Sequence, residues 1–402
     1  MKKTMKKTVI ITTILGVALI SNAGAEPGNG IHSGGWTFSP YANLRETYDS
    51  NVEKASANKQ DDFFSDSEAG LRLGYSAYEI DFSGLGYLGT RNYSDLTDKD
   101  FSIGGEVLKF KQGTHDTLVI EADQTFRRTE DIDLHGSEAA VLGVSPDSVL
   151  DSTATTRRDI NNIGVSAGRN LSDKMTLDVG YRFDDVNYEN PAIFDILNHI
   201  GQAEGSFHLT DKTDSFVTLL GGLQDNGVIS DPASYYTGRV GLKTRGTDKV
   251  VFKGGVGIQL YERPNAEDVT SINYDLSAAW IATDKITFQA GGRNGTVLSS
   301  LYAENGSAYN TVWAGAFYKF IPTILLSANA SYRQDDYLDP VSVSGGSKDR
   351  TDKGSGVGAR VDYMTPAKFL KLYAETQYQN VESTVSPTYD ETRIMLGMKL
   401  QY

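Results

Sequence analysis

The sequence predicts an all-β fold: a single transmembrane antiparallel β-barrel of about eighteen strands, sixteen at the fewest, with short periplasmic turns and long extracellular loops. Three features predict it. Short and long polar breaks alternate strictly along residues 36–402, the segments between them alternate apolar and polar residues, and both chain ends carry the marks of an exported barrel.

The short breaks fall at Ala77 and at 111–116, 171–174, 209–214, 245–248, 283–285, 321–323 and 365–368; four of them repeat a Thr/Ser-Asp-Lys signature. Between them lie longer stretches rich in Gly, Asp, Asn and Ser, at 47–62, 128–157, 224–233, 297–307, 333–353 and 379–389. A closed barrel places tight turns on one rim and long loops on the other, so the two kinds of break must alternate. A secreted solenoid or sandwich array imposes no such rule.

Within the segments, Ile272, Tyr274, Leu276, Ala278, Trp280 and Ala282 interleave with Asn273, Asp275 and Ser277. Met175, Leu177, Val179, Tyr181 and Phe183 repeat the pattern against Thr176, Asp178, Gly180, Arg182 and Asp184. Period two is what a wall with one apolar and one polar face requires. Segments of about nine to fourteen residues cross a bilayer core when tilted by about 45°. Residues 101–110, 216–223 and 309–320 carry apolar side chains on both faces, which leaves their register open.

Residues 1–25 open with four lysines, continue through an apolar run from Thr8 to Ile20 and finish Ala23-Gly24-Ala25. They read as a cleaved secretory signal peptide. Residues 26–35 then form a short periplasmic segment and residues 36–402 the barrel. At the other end Thr392, Ile394, Leu396, Met398, Leu400 and Tyr402 alternate up to an aromatic terminus. This resembles the signal by which barrel-assembly machinery recognises its clients, so that machinery is an expected partner, with outer-membrane lipid and lipopolysaccharide.

Composition agrees. A hydrophobic content of 39 % is low for a helical membrane protein and normal for a barrel, in which only alternate residues meet lipid. Tyr48, Tyr93, Tyr188, Tyr236, Tyr261, Tyr378 and Tyr389, from a total of 22 tyrosines, fall near strand ends, where interfacial girdles place them. The absence of cysteine excludes a disulfide framework.

Without the signal peptide the formal charge moves from −14 to −18. The polar face of the strands is nonetheless mixed, so the acidic excess belongs to the loops. Arg45, Arg72, Arg360 and Arg393 fall on strands that meet or nearly meet when the barrel closes, and they form a candidate basic strip along a pore. Glu121, Asp123 and Asp178, with Arg182 among them, fall on strands five and seven and are candidates to face it across the lumen. Local pairing of these charges is the competing reading. The acidic groups Asp61, Asp62, Asp66 and Glu68, and Glu130, Asp131 and Asp133, are read as loop residues without the spacing of a calcium site. The longest loop, 128–157, contains Ala139 to Leu142 and Val144 and is the candidate constriction.

No enzyme is expected. Of the five histidines, His32, His115 and His208 fall at the periplasmic side, leaving His135 and His199 near the outer rim, and no nucleophile elbow or zinc motif accompanies them. No cofactor or metal is implied, and the acidic balance disfavours nucleic acid.

Pro40-Tyr41, Glu46-Thr47-Tyr48 and Asp49-Ser50-Asn51 together resemble the first strand and loop of the putative beta-barrel porin 2 family. That resemblance implies an outer-membrane barrel, sometimes associated with exopolysaccharide gene clusters, and carries over no catalytic or substrate residue. The expected function is passive diffusion of small polar solutes through a porin-like channel. The alternatives are a barrel for exopolysaccharide export or surface assembly, whose lumen would carry aromatic rows for which Tyr41, Tyr87, Trp313, Phe317 and Tyr373 are the inward candidates, and a structural or adhesive barrel with a closed lumen.

Overall fold

Eighteen long strands form one antiparallel sheet that closes on itself in the computed structural model, which describes residues 30–129, 157–191, 193–227, 231–247, 249–264, 266–299, 306–343, 346–386 and 388–402. The expected signal peptide lies outside the described residues. In chain order the strands are β1 (Trp36–Asp49), β2 (Asp62–Ala77), β3 (Ile80–Tyr93), β4 (Phe101–Gln112), β5 (Val119–Thr129), β6 (Arg158–Ser172), β7 (Met175–Tyr188), β8 (Ile196–Thr210) and β9 (Thr213–Asp225). They continue with β10 (Ala233–Thr247), β11 (Val250–Glu262), β12 (Val269–Thr283), β13 (Ile286–Leu298), β14 (Gly306–Ile321), β15 (Ile324–Tyr337), β16 (Thr351–Met364), β17 (Leu370–Ser383) and β18 (Tyr389–Gln401). Each pairs with its sequence neighbours, and β18 pairs with β1 from Tyr41↔Gln401 to Asp49↔Arg393. A sheet closed in this way leaves no row of unpaired backbone groups facing lipid. Before β1, Ile31–Ser33 folds back on the start of that strand.

The turn signature has a physical basis. In Ser172-Asp173-Lys174, Thr210-Asp211-Lys212 and Thr283-Asp284-Lys285 the first hydroxyl accepts a hydrogen bond from the lysine N–H, at 3.3, 3.3 and 3.2 Å, and Thr247 does the same for Lys249 at 3.2 Å. This side-chain mimic of a backbone turn reverses the strand within two residues. The carbonyls of Lys174, Lys212, Lys249 and Lys285 then accept the N–H groups of His208, Arg245, Ile281 and Lys319, stitching each turn to the next hairpin. The break at Ala77 is built differently. Tyr78 and Glu79 both take left-handed backbone angles, φ 52° and 63°, as a two-residue hairpin turn demands.

The outer face carries the apolar belt: Leu88, Leu219, Ile258, Ile272 and Leu396 are all exposed. At the turn rim Trp36 packs with Tyr75 and Phe82, at centroid distances of 4.9 and 6.1 Å, and Trp280 stacks on Phe288. At the loop rim Tyr48, Tyr236 and Tyr378 face outward as expected of a girdle. Tyr93, Tyr261 and Tyr389 do not. They are buried on the inner face, where the loops fold over the barrel mouth.

The belt is not wholly apolar. Glu106, midway along β4, lies on the lipid side and accepts a hydrogen bond from Gln124 of β5 at 3.2 Å. Gln124→Leu removes that donor and is expected to cost about 1–3 kcal/mol of stability, seen as a lowered urea unfolding midpoint. An unchanged midpoint would show that the carboxylate does not depend on Gln124.

Candidate permeation pathway

The inner face is polar but not purely so, and glycine explains how it accommodates rings. Tyr41 lies against Gly70, Tyr87 against Gly105 and Trp313 against Gly291; a Cβ on those glycines would sit 2.5, 2.7 and 2.5 Å from the aromatic side chain. Phe216 covers Gly241 and Tyr373 covers Gly397 in the same manner. Each ring occupies the space a neighbouring side chain would take, so it spreads along the wall. This settles the ambiguous segments. Phe101, Ile103 and Val107, Phe216 and Leu220, and Tyr309, Trp313 and Phe317 are the inward residues of their strands, with the alternate apolar residues facing out.

All eight candidate charges fall on the inner face. Arg45 and Arg91 share the buried carboxylate of Asp66; the Arg45 Nε donates at 3.1 Å and the Arg91 Nε at 2.8 Å. Arg393 donates to Asp49 at 3.0 Å and also meets Glu391. Arg360 donates to Asp362 and Glu375, both at 3.0 Å, and Lys371 reaches Asp362 at 2.9 Å. Three of the four strip arginines are therefore paired within their own or an adjacent strand. Arg72 differs: among the described residues it has no ion pair and stacks over the Tyr41 ring at 5.6 Å, while Lys399 approaches the same ring at 4.5 Å.

Most of the second candidate group is also locally matched. Glu121 pairs with Lys111 at 3.1 Å, Arg182 with Asp184 at 2.6 Å, and Asp178 bonds His115 in a turn at 3.0 Å. Asp123 packs on Gly164 with its carboxylate. Asp81, Lys109, Lys111, Glu121, Asp123 and Arg182 together border a cavity of about 670 Å³ toward the turn rim. Sequence reasoning missed Asp66 and Arg91. It assigned Asp66, with Asp62 and Glu68, to an acidic loop, whereas all three lie in β2, and the register Arg45↔Asp66↔Arg91 makes Asp66 the shared anion of three strands. His199 faces outward, bonded to the Tyr181 hydroxyl at 2.6 Å, and His135 lies outside the described residues.

Residues 130–156 of the candidate constriction loop, with Glu130, Asp131 and Asp133, also lie outside the described residues. Among the described residues the loop between β1 and β2 turns inward. Val52 packs on the inward rings Phe64 and Tyr93 and on Leu96, and Asn51 is buried. The Asn51 Nδ2 donates to the carbonyls of Ala55 and Asp390, both at 2.9 Å, while Glu53 pairs with Lys99 at 2.9 Å.

A closed sheet of this strand number, apolar outside and charged within, defines a porin-type channel of the outer membrane. The family model described as Putative beta-barrel porin 2 matches residues 26–402, and the chain belongs to that family. Comparison with curated proteins returns no match. Among solved structures, Pseudomonas aeruginosa OpdK with vanillate shows 12 % identity over 91 % of this chain and 99 % of that one, with a TM-score of 0.47. P. aeruginosa OpdQ shows 15 % identity over 91 % and 98 %, and Acinetobacter baumannii OccAB4 11 % over 91 % and 98 %, both with a TM-score of 0.48. Family and fold point to a channel for small solutes rather than an enzyme.

Proposed function

We propose that the channel selects its solutes by the charges of the inner wall, with Arg72 and Lys399 as the cations that solutes meet. The observation that carries this reading is their shared position on either side of Tyr41, where the Glu68 carboxylate lies near but neither cation forms an ion pair among the described residues, while Arg45, Arg360 and Arg393 are held by acids. Arg45, Arg72, Glu121, Asp123, Asp178, Arg182, Arg360 and Arg393 line the pathway in this reading, and the paired ones shape it more than they attract ions. An unpaired cation inside a low-dielectric wall raises the local anion concentration more than a neutralised pair does.

Single-channel recording of the refolded barrel in a planar bilayer tests it. Arg72→Gln combined with Lys399→Gln is expected to shift the zero-current potential in a KCl gradient toward cation preference, with stable conductance steps retained. An unshifted potential would transfer selectivity to other wall charges.

Carbohydrate passage is the second reading. It draws support from Tyr41, Tyr87, Trp313, Phe317 and Tyr373, which all face inward, and it requires block of the current by oligosaccharides. In the same proposal residues 1–25 act as the cleaved signal peptide, 26–35 as the periplasmic lead-in, and the strand ending at Tyr402 as the recognition element for barrel assembly.

A further inference from the structure

Between β12 and β13 the regular ladder stops partway up the wall. Its last pair toward the loop rim is Asp275↔Arg293. Both strands run on: β12 stays paired with β11 up to Tyr261↔Val269, and β13 with β14 up to Leu298↔Gly306. The seam above Asp275 still lies in the apolar belt, because Ile272 and its register partner Ile258 are both strongly exposed on the outer face. Unpaired backbone at that depth is costly, so other groups must stand in for the missing ladder.

Asparagine side chains do. The Asn294 Oδ1 accepts the Tyr274 N–H at 2.6 Å, and the Asn294 Nδ2 donates to the Ile272 carbonyl at 2.7 Å. The Asn273 Nδ2 donates to the Asn294 carbonyl at 2.8 Å. A side-chain amide offers the same kinds of donor and acceptor as a peptide group, so it can bridge two backbones that have parted.

The strands part because β13 turns into the barrel. In the register of Leu276↔Gly292 the N–H groups of Thr296 and Leu298 would continue toward β12. They are given instead to the Gln259 Oε1 of β11 and the Gln224 Oε1 of β9, both at 2.9 Å. Side-chain exposure reports the same displacement. Phe288, on the outward face of β13, is 42 % exposed, whereas Thr296 and Leu298 on that same face are 3 % and 2 % exposed. The upper end of β13 therefore lies inside the wall formed by β9 to β12, as one edge of a scroll lies inside the other. A cavity of about 230 Å³ is bordered by Gln224, Gln259 and Asn273 of the outer layer and by Thr296 and Leu298 of the inner one, and Leu220 adds apolar wall.

We infer that this overlap is a lateral portal, a second exit from the lumen that delivers small uncharged amphiphiles into the outer leaflet. Parting β12 from β13 above Asp275 breaks side-chain ties and leaves the ladders on either side intact, so the seam can open without unfolding the barrel. The route sets the class of solute. A molecule leaving sideways passes from an amide-lined space into hydrocarbon, which penalises a formal charge and favours apolar bulk with few polar atoms. The portal does not depend on Arg72 and Lys399, and it lies beyond the charge-selected route along the barrel axis.

Uptake of N-phenylnaphthylamine, an uncharged dye that fluoresces in hydrocarbon, by Gram-negative cells producing the barrel tests the portal, with KCl conductance in a planar bilayer as the parallel measurement. The chain has no cysteine, so Tyr274→Cys with Asn294→Cys introduces a single thiol pair, at the register positions next to Asp275↔Arg293. Reduced, this pair lacks the Asn294 ties; oxidised, it seals the seam. Dye uptake is expected to be several-fold faster than in cells without the barrel, faster again with Asn294→Ala or the reduced pair, and back at the barrel-free rate when the pair is oxidised. Conductance is expected to be the same in both redox states, and the wild-type barrel to respond to neither reagent. Equal uptake by oxidised and reduced cells, no gain over barrel-free cells, or no change with Asn294→Ala overturns the proposal. So does a parallel loss of uptake and conductance on oxidation, which would assign both to the axial route, and so does a pair that fails to oxidise in the folded barrel, which would show that the two strands do not meet there.

Discussion

Asp66→Ala is expected to destabilise the barrel by about 3–5 kcal/mol, seen as a lowered urea midpoint for the protein in lipid vesicles. The carboxylate is 3 % exposed and takes bonds from Arg45 and Arg91, of which Arg91 is 2 % exposed and lies over the Phe64 ring at 4.2 Å. Removing the anion leaves two guanidiniums side by side without the charge they share, and one of them is deep in the wall. The loss thus includes desolvation that is no longer offset and repulsion that was previously cancelled. Asp66→Asn keeps the shape and one acceptor and is expected to cost less. Arg45, 29 % exposed at its side chain, can relax toward the lumen, so Arg45→Met is expected to be the mildest change of the three. A variant series in which Asp66→Ala and Arg45→Met cost the same would show that the pairing with Arg91 contributes little.

The closed barrel and its strand number were legible because closure imposes two rules visible in one dimension: side-chain period two and alternating break length. The signature turns were legible for a local reason, since a hydroxyl two residues before the lysine N–H caps the reversal. The inward placement of Arg45, Arg72, Arg360 and Arg393 follows from the same parity, and their adjacency follows from the β18–β1 closure. What parity does not encode is which carboxylate stands opposite which arginine. Asp66 was misassigned because the short polar run before it looks like loop; only the register with Arg45 and Arg91 reveals it as wall. Aromatic segments such as 309–320 were ambiguous for a related reason, because the glycines that let inward rings lie flat sit on neighbouring strands far away in sequence. Tyr93, Tyr261 and Tyr389 were misread as girdle residues because a strand end at the barrel mouth borders both the membrane interface and the inward-folded loops.

Excision of the inward loop, with residues 52–59 replaced by a short Gly-Ser linker, is expected to raise single-channel conductance several-fold while the barrel still folds. Conductance follows the narrowest cross-section, and this loop brings side chains from a rim connection onto inward rings, through Val52 on Phe64 and Tyr93. Burial of a valine contributes about 1.5–3 kcal/mol, enough to hold the loop inward for most of the time. The loop is also tied at its base by the bonds of Asn51 to Ala55 and Asp390, and Lys59 meets Asp390, at the start of the neighbouring β18, at 2.5 Å. The linker should retain Asn51, because its bond to Asp390 connects β1 to the start of β18, where the barrel closes. Val52→Ser is the finer probe. It keeps the chain length, removes the apolar anchor, and is expected to produce flickering between two conductance levels as the loop leaves and regains the wall. If excision leaves conductance unchanged, this loop is not the narrowest point. The constriction would then pass to the 128–157 loop, whose deletion should open the channel where removal of the first loop did not.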